Sequence, residues 1–393
     1  MNKDLICQHF RICGGCQLQD LEYDKQISLK QDNLKSTFKD FEVENFYEIV
    51  ASPDIWFYRN KMEFAFGKEK TGKVVVGLRE KNKFYKVINL KECKISFQQT
   101  GEILDIARLW AEENGLQPYD FFNHKGKVRY LVVKHSKTYN NIMLNIVITG
   151  TRYQIENYEK KVLEDFVKRC KDISNISSIY FSINNSISDN ANPEESFCIY
   201  GEKHIKETLN YVNYLIYPAT FFQTNTRCCE KLYELILNEL EEGNTLDLYC
   251  GTGGITLQIA KHKPEGKIIG IDSSKQNIEV ALENAKINSI SFDIVEFIND
   301  NVENFLLKLW KSKFMANLSN IIVDPPRPGL SRKVKSILND TGVFKIIYVS
   351  CNPKTLYEDL KSFVKFYKIK KIIPVDMFPH TNHIEVICVL EHK

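Results

Sequence analysis

The chain has 393 residues, 43% apolar and 26% charged, with a net charge of +3. That length suits two domains with sizeable cores. The composition excludes disordered and collagen-like classes, and the absence of any run of ~18 apolar residues excludes a membrane span. A pI near 8.1 is compatible with a nucleic-acid partner without requiring one, since basic binding domains usually lie above about pI 9. Eleven cysteines without an apolar signal region predict a cytoplasmic chain whose thiols are reduced, ligate metal or do chemistry.

Cys7, Cys13 and Cys16 come first, as Cys-x5-Cys-Gly-Gly-Cys. Three thiolates in ten residues, loosened by two glycines, can wrap one metal centre. Cys93 is the best candidate for the closing ligand, with iron–sulfur favoured over structural zinc, whose usual close cysteine pairs fit less well. A helix is expected over 20–41, with Leu21, Ile27, Leu34 and Phe38 near one face. Strands are expected at 61–66, 74–78 and 84–90, with a turn at 80–83. A helix over 100–114 leads to a strand pair, 125–134 and 141–147. Its Lys125, Lys127, Arg129 and Lys134, with Tyr130, suit either a phosphate backbone or a solvated strand face. A helix over 154–170 and strands at 179–183 and 197–200 complete an antiparallel α+β region.

A domain boundary is expected near 210, giving an N-terminal domain over 1–210 and a C-terminal domain over 211–393. Thr224 or Asn225 can cap a helix over 226–240. Beyond it strands alternate with helices: strands at 246–248, 267–271, 291–297, 321–323, 345–349, 369–377 and 384–390, helices at 255–263, 276–288, 302–310, 331–338 and 355–365. This predicts a doubly wound, mostly parallel α/β sheet with ligands at the carboxyl ends of its strands.

The stretch Leu-Asp247-Leu-Tyr249-Cys-Gly251-Thr-Gly253-Gly254 organises that domain. Its glycines allow a sharp turn and a close approach to a ligand. Asp272, at the end of the next strand, can accept hydrogen bonds from ribose hydroxyls. A dinucleotide fingerprint needs a third glycine where Thr256 stands. The pattern resembles instead the first motif of Rossmann-like S-adenosylmethionine (SAM) methyltransferases. Three further loops carry chemistry. Asp324-Pro-Pro-Arg327 is a rigid turn that turns a carboxylate into the cleft. Cys351, just before a helix beginning near Pro353, is expected to have its pKa lowered by the helix dipole. Glu385 is an acid among apolar strand residues, costly unless paired or used.

Together Cys7-x5-Cys-Gly-Gly-Cys, Phe221-Phe-Gln223-Thr-Asn, Asp247-x3-Gly-x-Gly, Asp324-Pro-Pro-Arg, Ser350-Cys351-Asn-Pro and Phe378-Pro-His-Thr-x-His-Ile-Glu385 resemble the RNA 5-methyluridine methyltransferases, from Cys7 almost to the C-terminus. The resemblance implies a 4Fe-4S cluster on Cys7, Cys13, Cys16 and Cys93. It implies SAM contacts from Gln223, Tyr249, Gly254, Asp272, Asn301 (or its neighbour Asp300) and Asp324. A contact at Gly254, where some relatives carry a side chain, would be through backbone. It implies a base-stacking Phe221, a nucleophilic Cys351 and a general base in Glu385; if the base lies elsewhere, His383 is the next candidate. Many members carry an RNA-binding β-barrel before the cluster. Only six residues precede Cys7, so that module is expected to be absent and the grip on RNA to come from residues 17–210 and the cleft.

The chemistry explains the residue types. C5 of uracil is a weak nucleophile until a thiolate adds to C6, and a base must later remove the C5 proton. The expected substrate is a uridine of 23S ribosomal RNA, the alternative a tRNA T-loop uridine, and the enzyme is expected to act as a monomer without a membrane or obligate protein partner. An exocyclic-amine methyltransferase would carry an aromatic residue at position 327, and a non-catalytic cluster-bearing RNA-binding or redox protein would not bind SAM.

Overall fold

The computed structural model describes residues 6–309 and 317–393, so Trp310, the last residue of the helix expected over 302–310, lies outside the described residues. Two compact units are present: Met1–Glu22, Asp54–Glu207 and Leu215–Ala219 in the first, Tyr23–Pro53, Thr208–Tyr214 and Thr220–Lys393 in the second. The course of the chain differs from a single division at 210. Helix α1 (Tyr23–Thr37) and strand β1 (Val43–Phe46) lie in sequence between two segments of the first unit and belong to the second. The reason is a long-range pairing, with Val43 opposite Ile369 and Phe46 opposite Ile372, which local periodicity cannot reveal.

The first unit contains β2 (Lys61–Lys68), β3 (Val74–Gly77), the short hairpin β4 (Arg79–Glu80) and β5 (Lys83–Val87), α2 (Thr100–Glu113), β6 (Val128–His135) and β7 (Ile142–Ile148). It continues through α3 (Arg152–Gln154), a π-helical turn (Ile155–Glu159), α4 (Lys160–Cys170), β8 (Ile176–Ile183) and β9 (Glu195–Gly201). Six of these strands form one sheet, in the order β3-β2-β6-β7-β8-β9. Only β7 and β8 pair in parallel, and a helical crossover is what such a pair requires. Trp110 anchors the core, edge-on to Phe166 and Phe181 at 5.0 and 5.8 Å, with its indole N–H donating to the Val162 carbonyl at 2.8 Å. A hairpin, β10 (Ile205–Leu209) and β11 (Val212–Ile216), follows.

In the second unit α5 (Thr226–Asn238) is followed by strands and helices that alternate until the last two strands. The elements are β12 (Asn244–Leu248), α6 (Gly254–His262), β13 (Ile268–Asp272), α7 (Lys275–Ile287), β14 (Val295–Asn299), α8 (Val302–Leu309) and β15 (Leu318–Val323). Then come α9 (Arg332–Thr341), β16 (Lys345–Ser350), α10 (Pro353–Phe363), β17 (Tyr367–Val375) and β18 (Glu385–His392). The eight-stranded order is β1-β17-β18-β16-β15-β12-β13-β14. Only β18 runs antiparallel to its neighbours. Along β16, Ile346 and Tyr348 enter one core and Ile347 and Val349 the other. Burial on both faces explains why these strands read as continuous apolar runs. The order reverses at β12 and β15, where a doubly wound sheet opens its ligand crevice.

Candidate active site

The turn after β12 is built from left-handed residues. Tyr249, Gly251 and Gly253 have φ of 67°, 56° and 84°, and two of the three are the glycines such angles favour. Buried Asp247 holds the turn to α6 by accepting from the Thr256 backbone N–H at 3.0 Å and hydroxyl at 2.5 Å. Burial pushes its pKa up to about 7, against the pull of those donors. At the end of β13, Asp272 accepts from the Gly251 N–H at 3.0 Å, the Ser274 N–H at 2.8 Å and the Asn277 amide at 3.1 Å. Its carboxylate therefore braces the glycine turn. Gly254 lies where a Cβ would come within 2.6 Å of the Tyr233 hydroxyl, and its carbonyl accepts from Tyr214 at 2.9 Å. Asn301 is exposed and caps α8, accepting from the Glu303 N–H at 2.9 Å, while Asp300 pairs with Lys308 at 2.7 Å.

Three other strand ends converge on this crevice. Asp324 follows β15, directly after the Leu248–Val323 pair, and burial together with the Asp247 charge pushes its pKa up to about 7. Cys351 follows β16, and Glu385 opens β18. Ser350 is paired with Val386, so the antiparallel register carries Cys351 and Glu385 to adjoining places. Arg327 lowers both pKa values, Asp324 raises both, and Glu385 raises that of Cys351. Burial, then the Asp324 charge, holds the Glu385 pKa well above the usual carboxylate range.

The expected lowering of the Cys351 pKa is corrected here. Burial and the Glu385 charge raise it, and Arg327 opposes them. The α10 terminus is already capped by the Asn352 side chain, which accepts from the Lys354 N–H at 3.2 Å, so less of its dipole reaches the sulfur.

An open cleft of about 720 Å³ contains Cys351, Arg327, Lys354, Asn382 and His383 on one side and α1 residues Leu29, Lys30, Asn33 and Thr37 on the other. Phe221 is exposed and Gln223 half-buried on the loop before α5. Asn225 is the cap of that helix, accepting from the Cys228 N–H at 3.2 Å, and its amide donates to Ser52 and to the Met377 carbonyl, each at 3.1 Å.

Sequence reasoning missed what holds the 376–383 loop ahead of Glu385. Lys30 and Asp376 form a buried ion pair at 2.6 Å. Tyr23 donates to the same carboxylate at 3.0 Å, and Gln26 contacts the His380 ring and accepts from its backbone N–H. The signal was available: Tyr23, Gln26 and Lys30 lie at helical spacing on α1, a polar stripe beside the apolar one.

In the first unit Cys7, Cys13, Cys16 and Cys93 line one cavity with Phe10 and Ile95. Burial raises all four thiol pKa values, Cys93 to about 11 and Cys16 to about 12. Among the described residues no group of three or more His, Cys, Asp or Glu is gathered as a metal-holding set. Both readings of β6, a phosphate-facing one and a solvated strand face, are overturned for Arg129, Tyr130 and Lys134, which are buried. Arg129 is buried and donates to the carbonyls of Asn184, Ser186 and Ser188 at 2.9, 2.6 and 2.6 Å. Lys134 is buried against the Tyr217 carbonyl at 2.5 Å, and Lys127 is paired with Glu159. Tyr130 is buried too, which leaves Lys125 as the exposed member of that set.

A doubly wound, mostly parallel sheet whose switch point holds a glycine turn and a strand-end acid is the SAM-methyltransferase-like fold. Residues 22–393 match the family described as tRNA (Uracil-5-)-methyltransferase. An RNA methyltransferase of Clostridium tetani without an assigned target is 34% identical, over 98% of this chain and 84% of the relative. The tRNA (uracil(54)-C(5))-methyltransferase of Pyrococcus horikoshii is 32% identical over 98% of this chain and 85% of its own. The Pyrococcus abyssi tRNA (uracil-54, C5)-methyltransferase, solved with S-adenosyl-L-homocysteine, superposes with a TM-score of 0.74 at 31% identity, covering 96% of this chain and 86% of that one. The chain belongs to the tRNA (uracil-5-)-methyltransferase family and is a SAM-dependent uracil-C5 RNA methyltransferase. No described helix is long and apolar enough to cross a membrane.

Proposed function

We propose that the enzyme methylates C5 of a uridine through a covalent adduct between Cys351 and C6, resolved by Glu385. The observation that carries this reading is the β16–β18 register, which brings one thiol and one buried carboxyl together beside Arg327. Cys351 adds to C6 as its thiolate, beside the Arg327 charge that favours that form, and the C5–C6 π electrons move onto O4 as an enolate. SAM supplies the electrophilic methyl group that C5 takes. Glu385 then removes the C5 proton, and the electrons of that bond restore C5–C6 and expel the thiolate. Glu385 raises the Cys351 pKa, while burial and Asp324 hold that of Glu385 up. The target base must leave its stack to reach this cleft, and exposed Phe221 is suited to hold it there. Gln223, Tyr249, Gly254, Asp272, Asn301 and Asp324 are assigned to SAM, Asp272 to its ribose hydroxyls.

Glu385→Gln keeps shape and leaves the thiol in place. It is expected to accumulate an RNA-linked protein that survives denaturing electrophoresis and carries label from methyl-labelled SAM. Normal turnover by this variant would move the base elsewhere, to His383 first. A wild-type enzyme that forms no adduct with 5-fluorouridine RNA would remove the covalent mechanism altogether.

The substrate is assigned to tRNA, because named relatives covering nearly the whole chain act on tRNA uracil 54; a 23S ribosomal RNA uridine is the second reading, favoured by the cysteine motif. Mapping 5-methyluridine in both RNAs with and without the gene separates them. The four-cysteine cavity is assigned to a 4Fe-4S cluster. A cluster of several irons spreads its thiolates wider than one ion does, and its positive charge would reverse the effect of burial on them. The cluster would tie Cys93 to the Cys7–Cys16 loop. Anaerobic protein should be brown with about four irons per chain, and stoichiometric zinc without visible absorption would overturn this.

A further inference from the structure

The first unit displays three large rings that no core absorbs. Phe84, Tyr85 and Phe122 are 66%, 56% and 72% exposed. Phe84 meets Tyr85 edge to face at 5.7 Å between centroids, and each lies 6.3 Å from Phe122. Contiguous exposed apolar groups of this kind mark interaction surfaces.

The rings are held on ordered backbone. The β4–β5 hairpin turns at Asn82, with φ 64°. It is fastened to the cysteine loop by Gly14 N–H donating to the Arg79 carbonyl and Lys81 N–H to the Ile12 carbonyl, both at 2.9 Å. Phe122 sits in a loop closed by its own N–H on Asp120 at 2.8 Å and by the Asp120 N–H on the Lys125 carbonyl at 2.7 Å.

Charge decides what such a surface fits. The whole chain balances 53 basic against 50 acidic residues, yet residues 79–87 hold Arg79, Lys81, Lys83 and Lys86 against Glu80 alone. Lys83 and Lys86 both reach Glu80 at 2.5 Å and still keep about half of their side chains in solvent. Arg79 is paired with Asp189 at 2.9 Å, but one carboxylate between two ammonium groups still leaves a positive rim, and exposed Lys125, three residues from Phe122, offsets Asp120. Aromatic faces within a basic rim are what unpaired nucleotides need, a stacking surface for bases and cations for phosphates.

We propose that Phe84, Tyr85 and Phe122 form a stacking platform for unpaired nucleotides of the substrate RNA, outside the catalytic cleft, with Lys81, Lys83, Lys86 and Lys125 on its phosphates. This rests on the reading of the chain as an RNA methyltransferase. It also supplies the basic surface that β6 does not.

The test uses the full chain and a fluorescent mixed-sequence single-stranded RNA 20-mer, with the matching duplex as control. The variant Phe84→Ala/Tyr85→Ala/Phe122→Ala should melt as wild type does and bind SAM equally well. Its Kd for the single strand should rise at least about tenfold, its Kd for the duplex less, and its KM for total RNA should rise while kcat holds. Phe84→Trp should retain binding. Lys83→Gln/Lys86→Gln should reduce the slope of log Kd against log salt by about 1.4, whereas the aromatic triple should leave that slope unchanged. Wild-type single-strand affinity and KM in the triple variant would overturn the platform. So would a wild-type dimer that the triple variant converts to monomer without loss of RNA affinity, which would make the patch a protein interface. Wild-type protein that never methylates total RNA would instead refute the enzyme assignment, so the two failures are distinguishable.

Discussion

Strand β6 of the first unit and the strand ends of the second use buried charge differently. In the first, Arg129 and Lys134 are buried on backbone carbonyls and the surface shows aromatic rings. In the second, Asp247, Asp324 and Glu385 are drawn into the strand-end crevice, with their pKa values raised. A buried cation that donates to carbonyls stiffens a loop. A buried acid with a raised pKa in a strand-end crevice is a candidate functional group. The difference teaches that charge in this sequence marks function only where topology leaves it something to react with.

The sharpest way to break the comparison is Cys351→Ala. All methylation and all adduct with 5-fluorouridine RNA should vanish while thermal stability stays near wild type, because the half-buried thiol packs little. A labelled adduct in this variant, seen by denaturing electrophoresis, would move the nucleophile.

Next in size is Asp376→Ala, which leaves Lys30 buried without its carboxylate. The expected cost is about 3–5 kcal/mol in denaturant unfolding, the range for stranding one partner of a buried pair. Lys30→Met/Asp376→Leu should restore most of it. If the single variant loses less than about 1 kcal/mol, the pair is not the brace described.

Asp272→Ala should weaken SAM binding by roughly 1.5–3 kcal/mol in calorimetry, the range for a hydrogen bond to a charged group. Because the same carboxylate holds Gly251 and Ser274, some of this comes from a looser turn. Unchanged affinity would remove its ribose assignment.

The gentlest test is pH. Asp247 is raised in the folded state to about 7, so between about pH 4 and 7 the folded protein keeps a proton that the unfolded chain has released. Its contribution to stability is full at low pH and fades as pH rises through the folded value, by up to about 1.4 kcal/mol per pH unit. Melting curves of ligand-free protein should therefore fall across that window, and Asp247→Asn should flatten the fall. An unchanged slope in the variant would show that Asp247 does not titrate there.

Much of this was legible along the chain. Alternation of apolar runs, turn residues and caps located the α/β domain, because parallel strands buried on both faces leave a continuous local pattern. Strand-end motifs named Asp247, Asp272, Asp324, Cys351 and Glu385, since glycine turns and proline-stiffened loops are local chemistry. Tertiary structure alone decided three things. It assigned α1 and β1 to the second unit, since pairing across some 320 residues leaves no periodic trace. It chose whether a lysine or arginine on β6 faces solvent or a carbonyl, which alternation cannot tell when both faces are covered. It set the sign of the Cys351 shift, because that sign depends on which charges the fold brings beside the sulfur and how much water it removes.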